Sequence, residues 1–200
     1  MATITTDKHT IRYATESDVP AILRLIHELA EYEKELASCR MTEEILLKTL
    51  SFPIPSSDSS STTSDTNNQH TPSFTKGYAR TLLISPTSNP SLVAGLAIYF
   101  PNYSTWTGPG IYLEDLIITK SHRGKGYGKA LLSALAREVK SDEINPWGMG
   151  RLQWSVLNWN KPSIDFYLSD SVGAFLKEEW LGCQVEGEKL RKLAEAGKGS

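Results

Sequence analysis

Cysteine is scarce in this chain: the 200 residues hold only Cys39 and Cys183. Neither lies in a C-x-x-C or Cys/His ligand spacing, which argues against a disulfide framework and a structural zinc site, so no metal is expected. Long apolar runs are missing too. Nothing approaches the ~18 apolar residues of a membrane span, and Met1 to Thr10 lack the apolar stretch of a secretory leader. A cytoplasmic protein is expected. Charge of one sign is also lacking: 21 basic residues stand against 23 acidic ones, for a net charge of -2. With no basic run, the electrostatic footprint of a nucleic-acid or anionic-membrane binder is absent, and a small-molecule partner is expected. What is present is 40% hydrophobic content over 200 residues. That is enough for one sizeable core and short for two, so a single domain over 1–200 is expected.

Periodicity orders the chain. Thr10 to Ala14 alternates as a strand and ends in the capping cluster Thr15-Glu16-Ser17-Asp18. From Val19 to Leu36, Ile22, Leu23, Leu25, Ile26, Leu29 and Ala30 recur at helical spacing, with Pro20 tolerable in the first turn. A second helix is expected over Thr42 to Leu50, behind an acidic first turn. Pro53 to Thr75 is dominated by Ser, Thr, Asp, Asn and Pro and reads as a mobile insertion loop. Strands are expected over Gly77 to Ser85, Leu92 to Pro101, Ile111 to Thr119, Leu152 to Leu157 and near Gly182 to Val185. Amphipathic helices are expected over Lys129 to Lys140 and from Pro162 to Leu168. The order predicts a mixed α/β domain without internal repeats.

The chemistry gathers after the third of these strands. An apolar strand running into the glycine-rich Arg123-Gly124-Lys125-Gly126-Tyr127-Gly128 and then a helix forms a phosphate-binding geometry, because free backbone N–H groups and the positive helix end converge there. The spacing is neither Walker A nor the dinucleotide pattern G-x-G-x-x-G. On its own such a loop serves equally as a plain turn. Upstream, Glu114 and Asp115 sit in the apolar run Leu113 to Leu116, a setting that suits a proton acceptor. In a regular strand the two would point to opposite faces and could not share one site unless a bulge intervened. Downstream, Tyr167 offers a phenol able to act as a proton donor, or a core tyrosine.

The loop's R-x-x-G-x-G pattern resembles the pyrophosphate loop of the GNAT acetyltransferase superfamily, with Arg123, Gly126 and Gly128 in matching positions. Asn160-Lys161-Pro162-Ser163-Ile164-Asp165-Phe166-Tyr167 is similar to that family's N-x-x-A-x-x-F-Y stretch. Added to Ile22 to Glu33 and Tyr112-Leu113-Glu114-Asp115, these segments resemble the diamine (spermidine/spermine) and thialysine acetyltransferase branch most closely.

The resemblance implies a GNAT fold, a mostly antiparallel mixed sheet flanked by helices. It implies acetyl-CoA as co-substrate, held by Leu116, Ile117, Ile118, Arg123, Gly124, Lys125, Gly126, Tyr127, Gly128, Lys129, Asn160, Ser163, Phe166 and Tyr167. It also implies Glu114 as water-mediated base, Tyr167 as acid, direct attack without an acyl-enzyme, and a homodimer. The amine would meet Tyr32, Glu33, Trp106, Glu114, Asp115 and Trp159; both tryptophans serve packing equally well. The alternatives are an acetyltransferase acting on protein lysines or N-termini and a non-catalytic acyl-CoA-binding module.

Two departures stand out. Ser104 occupies the place of an acidic residue in the branch's Tyr-Asp-Pro-Trp segment, which removes one cation anchor and disfavours long polyamines. The stretch Ser169 to Gln184 does not register with the family.

Overall fold

The computed structural model describes residues 3–55, 72–141 and 150–196. The chain divides into two compact units, Met1–Leu157 and Asn158–Ser200.

The first unit is built on a six-stranded sheet in sequential order: β1 (Ile4–Thr5), β2 (His9–Tyr13), β3 (Arg80–Pro86), β4 (Gly95–Ser104), β5 (Gly108–Ile118) and β6 (Leu152–Gln153). All neighbours are antiparallel except β5 and β6, which run parallel. Strand β1 is too short to carry an alternation signal, which is why the sequence did not show it. The expected strand over Leu152 to Leu157 pairs only at its first two residues.

The helices are α1 (Val19–Tyr32), α2 (Glu43–Thr49) and α3 (Tyr127–Val139). Thr15 and Asp18 form the expected capping box ahead of α1, and Pro20 lies in its first turn, where a missing N–H costs nothing. The helix stops short of Leu36 because the chain turns left-handed at Lys34, φ 65°. Around it the Lys34 N–H donates to Glu31 and the Glu35 N–H to Ala30, which satisfies the last carbonyls. The Thr42 hydroxyl caps α2 by accepting the Ile45 N–H at 3.2 Å.

The sheet has two packed faces. Ile22 and Leu25 of α1, Leu46 of α2, and Leu83, Leu96, Ile98 and Ile117 of the sheet share one core. Fully burying each such aliphatic side chain is worth about 1.5–3 kcal/mol. The other face meets α3, where Leu131 and Leu135 are buried. Here a carboxylate sits among apolar residues: Glu138, only 6% exposed. It accepts the Tyr13 hydroxyl from β2 and the Tyr99 hydroxyl from β4, the latter at 2.9 Å. Burial, then the Glu138 charge, holds both phenols protonated.

The neck of the Ser/Thr-rich segment is ordered, with Ile54 N–H bonded to the Ser73 carbonyl and Thr75 N–H to that of Phe52. The rest of that expected loop, 56–71, lies outside the described residues.

The second unit holds α4 (Lys161–Leu168) and α5 (Gly187–Glu195). The Asn160 side chain caps α4 by accepting the Ser163 N–H, with Pro162 in the first turn. The strand expected near Gly182 to Val185 is not there. Leu181 is 90% exposed and Val185 43%, so the short apolar run that suggested a strand has no partner among the described residues. Helix α5 was not expected; it carries Glu188 paired with Lys192 at 3.2 Å.

Candidate functional site

Strand β5 carries the site because its pairing changes along its length. Towards β4 the register runs evenly from Ser104↔Gly108 to Tyr99↔Leu113, then jumps to Ile98↔Asp115. Glu114 is therefore the extra residue of a β-bulge. Alternation puts Tyr112, and two residues on Glu114, on the face of Ile98; beyond the bulge Asp115 and Ile117 lie on that face too. Both carboxylates thus look toward α1, which a regular strand forbids.

Their surroundings differ. Glu114 is exposed, whereas Asp115 is half-buried. Burial, reinforced by the charges of Glu114 and of Glu33 at the end of α1, pushes the Asp115 carboxyl up to about 6. Burial raises Glu33 as well. Among the described residues none of these three acids has an ion-pair partner. A group of acids without a counter-charge favours either a shared proton or a cation from outside.

Towards β6, β5 pairs only through Ile111↔Leu152 and Tyr112↔Gln153. Among the described residues, 113–118 therefore have no strand on that side. This is an open edge of backbone donors and acceptors, with half-buried Leu116 and Ile118 and buried Ile117 along it.

The edge leads into a tight turn at 120–122 and the glycine loop. Gly124 and Gly126 both need positive φ, 74° and 81°, which any side chain would strain. Gly126 is the N-cap of α3. Among the described residues, the N–H groups of Gly126, Tyr127, Gly128 and Lys129 reach no backbone carbonyl, so the first turn of α3 presents them as an anion cradle. The Lys125 and Lys129 side chains are exposed beside it.

Tyr127 contributes to this cradle through its backbone, since its ring is buried and its hydroxyl donates to the Lys8 carbonyl at 3.2 Å. His122 stacks on that ring with centroids 6.1 Å apart, which braces the loop. The sequence suggested no role for it, because the contact depends on the turn.

Ser104 is buried and accepts the N–H groups of Trp106 at 3.1 Å and Thr107 at 3.3 Å, so its hydroxyl shapes the β4–β5 turn. Trp106 at that turn is 84% exposed. Six residues of strand separate Gly108 from Glu114, roughly 20 Å. Trp106 is therefore not gathered with the carboxylates within one copy of the chain.

In the second unit, the Asn160 cap fixes the start of α4, and the Phe166 and Tyr167 rings lie 5.3 Å apart. Burial pushes the Tyr167 phenol up to about 12, so it keeps its proton at neutral pH. Trp159 is half-exposed. No cluster of possible metal ligands occurs among the described residues, and no helix there is long and apolar enough to cross a membrane.

Residues 49–170 match the Acetyltransferase (GNAT) family. The chain belongs to that family. It is an N-acetyltransferase, of a family that uses acetyl-CoA. The L-ornithine N5-acetyltransferase of Arabidopsis thaliana is 32% identical over 204 residues, covering 92% of this chain and 86% of the relative. The thialysine N-epsilon-acetyltransferase of Mus musculus is 33% identical over 185 residues, covering 92% and 96%. Among solved structures, an integron cassette protein from V. cholerae shares the fold, with a TM-score of 0.63, 20% identity and coverage of 96% and 99%.

Proposed function

We propose that this GNAT enzyme transfers an acetyl group from acetyl-CoA to the primary amine of a small cationic molecule, a short diamine or an ornithine- or thialysine-like amino acid. The observation that carries the reading is the bulge at Glu114. It aligns Glu114 and Asp115 on the α1 face with Glu33, beside an open strand edge and an anion cradle. Acetyl-CoA supplies an activated thioester carbonyl.

The chain's own groups do the rest. N–H groups from Gly124 to Lys129 take the pyrophosphate, with charge from Arg123 and Lys125, and the free edge at Leu116, Ile117 and Ile118 takes the amide-bearing arm. On the strength of the resemblance, Asn160, Ser163 and Phe166 of the α4 segment are also assigned to acetyl-CoA binding. Tyr32, Glu33 and Trp159 belong to the amine side.

An alkylammonium loses its proton only near pH ~10.4, so the attack needs a proton acceptor. The Glu114–Asp115 pair serves, Glu114 through water and Asp115 with the basicity that its value of about 6 confers. The amine nitrogen bonds to the acetyl carbon as the carbon–sulfur bond breaks, and Tyr167 protonates the departing sulfur. Tyr167 carries its proton at neutral pH, so a proton is at hand for the sulfur. Both cysteines lie outside these segments, so no acyl-enzyme is invoked. A homodimer is part of the proposal on the strength of the resemblance.

The test is a CoA-release assay over ornithine, thialysine, short diamines, spermidine and a lysine peptide. Highest kcat/KM is expected for a small amine, with spermidine behind. A clear preference for the peptide would replace the small-molecule reading with protein acetylation. Tyr167→Phe is expected to lower kcat about 10²-fold or more while acetyl-CoA still binds; unchanged turnover would remove Tyr167 from the mechanism.

A further inference from the structure

One side chain joins the anion loop to the amine-side helix. Arg123 donates its Nε–H back to the Ile118 carbonyl at 3.0 Å. Its guanidinium lies over the ring of Tyr32, 5.1 Å from Cζ to the centroid. The first contact ties the arginine to the end of β5; the second lays its flat face on an aromatic ring, the arrangement that a planar cation favours.

Tyr32 is the last residue of α1, and the next residue, Glu33, is one of the acids that raise Asp115. The turn that orients Glu33 hangs on three backbone bonds, from Glu33 to Leu29, Lys34 to Glu31 and Glu35 to Ala30. Its left-handed residue is Lys34, φ 65°, where glycine would be unstrained. Helix ends are the parts of a helix that open at least cost, so one added contact on Tyr32 shifts the population of the closed end.

We infer that Arg123 couples the two substrate sites. With the loop fixed by a bound pyrophosphate, Arg123 holds Tyr32, closes the α1 end and sets Glu33 against Asp115, so that acetyl-CoA prepares the amine site. Coupling of this kind is reciprocal, and a bound amine tightens acetyl-CoA to the same extent. Arg123 is here a positioning residue. The inference rests on the acetyl-CoA reading above.

Hydrogen–deuterium exchange on the full chain, with and without saturating CoA, tests it. CoA is expected to slow exchange at 126–129 and, in the wild type, also at 33–35 by about two- to fivefold, the scale of one cation–π contact. Arg123→Gln also removes charge beside the pyrophosphate, so each variant is compared at a CoA concentration that saturates it; there Arg123→Gln and Tyr32→Leu should keep the first effect and lose the second, and Tyr32→Phe, which retains the ring, should keep both. A purely structural role for Tyr32 would change 33–35 equally with and without CoA. Protection at 126–129 with none at 33–35 in the wild type, or protection at 33–35 that survives Arg123→Gln, overturns the coupling and leaves the acetyl-CoA reading standing. No protection at 126–129 in the wild type overturns both.

Discussion

The two faces of the sheet each hold carboxylates, and they treat them in opposite ways. On the α3 face Glu138 is buried but accepts two tyrosine hydroxyls, so its charge is answered inside the fold. On the α1 face Glu33, Glu114 and Asp115 crowd together with no ion-pair partner among the described residues. One arrangement satisfies a buried acid; the other keeps a site acidic at a cost in stability. Buried polar groups that are satisfied hold structure together, and those left in want of a partner mark where function draws on something from outside.

Removing each set of carboxylates, with activity and stability read together, separates the two roles. Glu114→Gln combined with Asp115→Asn is expected to lower kcat about 10²- to 10³-fold, the scale of a lost general base, with no loss of thermal stability. Steady-state kinetics beside a melting curve would show it. Glu138→Ala should do the reverse. It leaves two buried phenols without their acceptor and opens space in the α3 interface, for a loss of about 3 kcal/mol in denaturant unfolding. Equal effects of the two sets on stability would erase the distinction.

A smaller effect has a pH signature. The folded chain binds the Asp115 proton more tightly than the unfolded chain does, about 6 against 3.8. That contribution is favourable below 3.8 and is lost as pH rises through about 6. Asp115→Asn should therefore stabilise the protein by about 1–2 kcal/mol above pH 6 and not at pH 3.5, as urea titrations at the two values would report.

The sequence made most of this fold legible because its signals are local. The apolar spacing in α1 and α3, the capping clusters at Thr15 and Thr42 and the glycine loop each act within a few residues. The bulge at Glu114 was not legible: alternation placed Glu114 and Asp115 on opposite faces, and only the register against β4 brings them together. The Glu138 node could have been suspected, since Glu138 occupies an apolar position of the α3 stripe three residues after Leu135. Its partners Tyr13 and Tyr99 lie far off in sequence and needed the sheet order. The strand expected at Gly182 to Val185 failed for a related reason, as a short apolar run becomes a strand only where an edge receives it.

A proton acceptor at the β5 bulge is tested most directly by the pH dependence of kcat/KM for a good small amine in the wild type and in Asp115→Asn. The wild-type acid limb is expected to centre near 6, where Asp115 takes up its proton, and to be lost or displaced in the variant, with KM for acetyl-CoA changed less than about twofold. An acid limb that is the same in both proteins would contradict a proton acceptor at the β5 bulge.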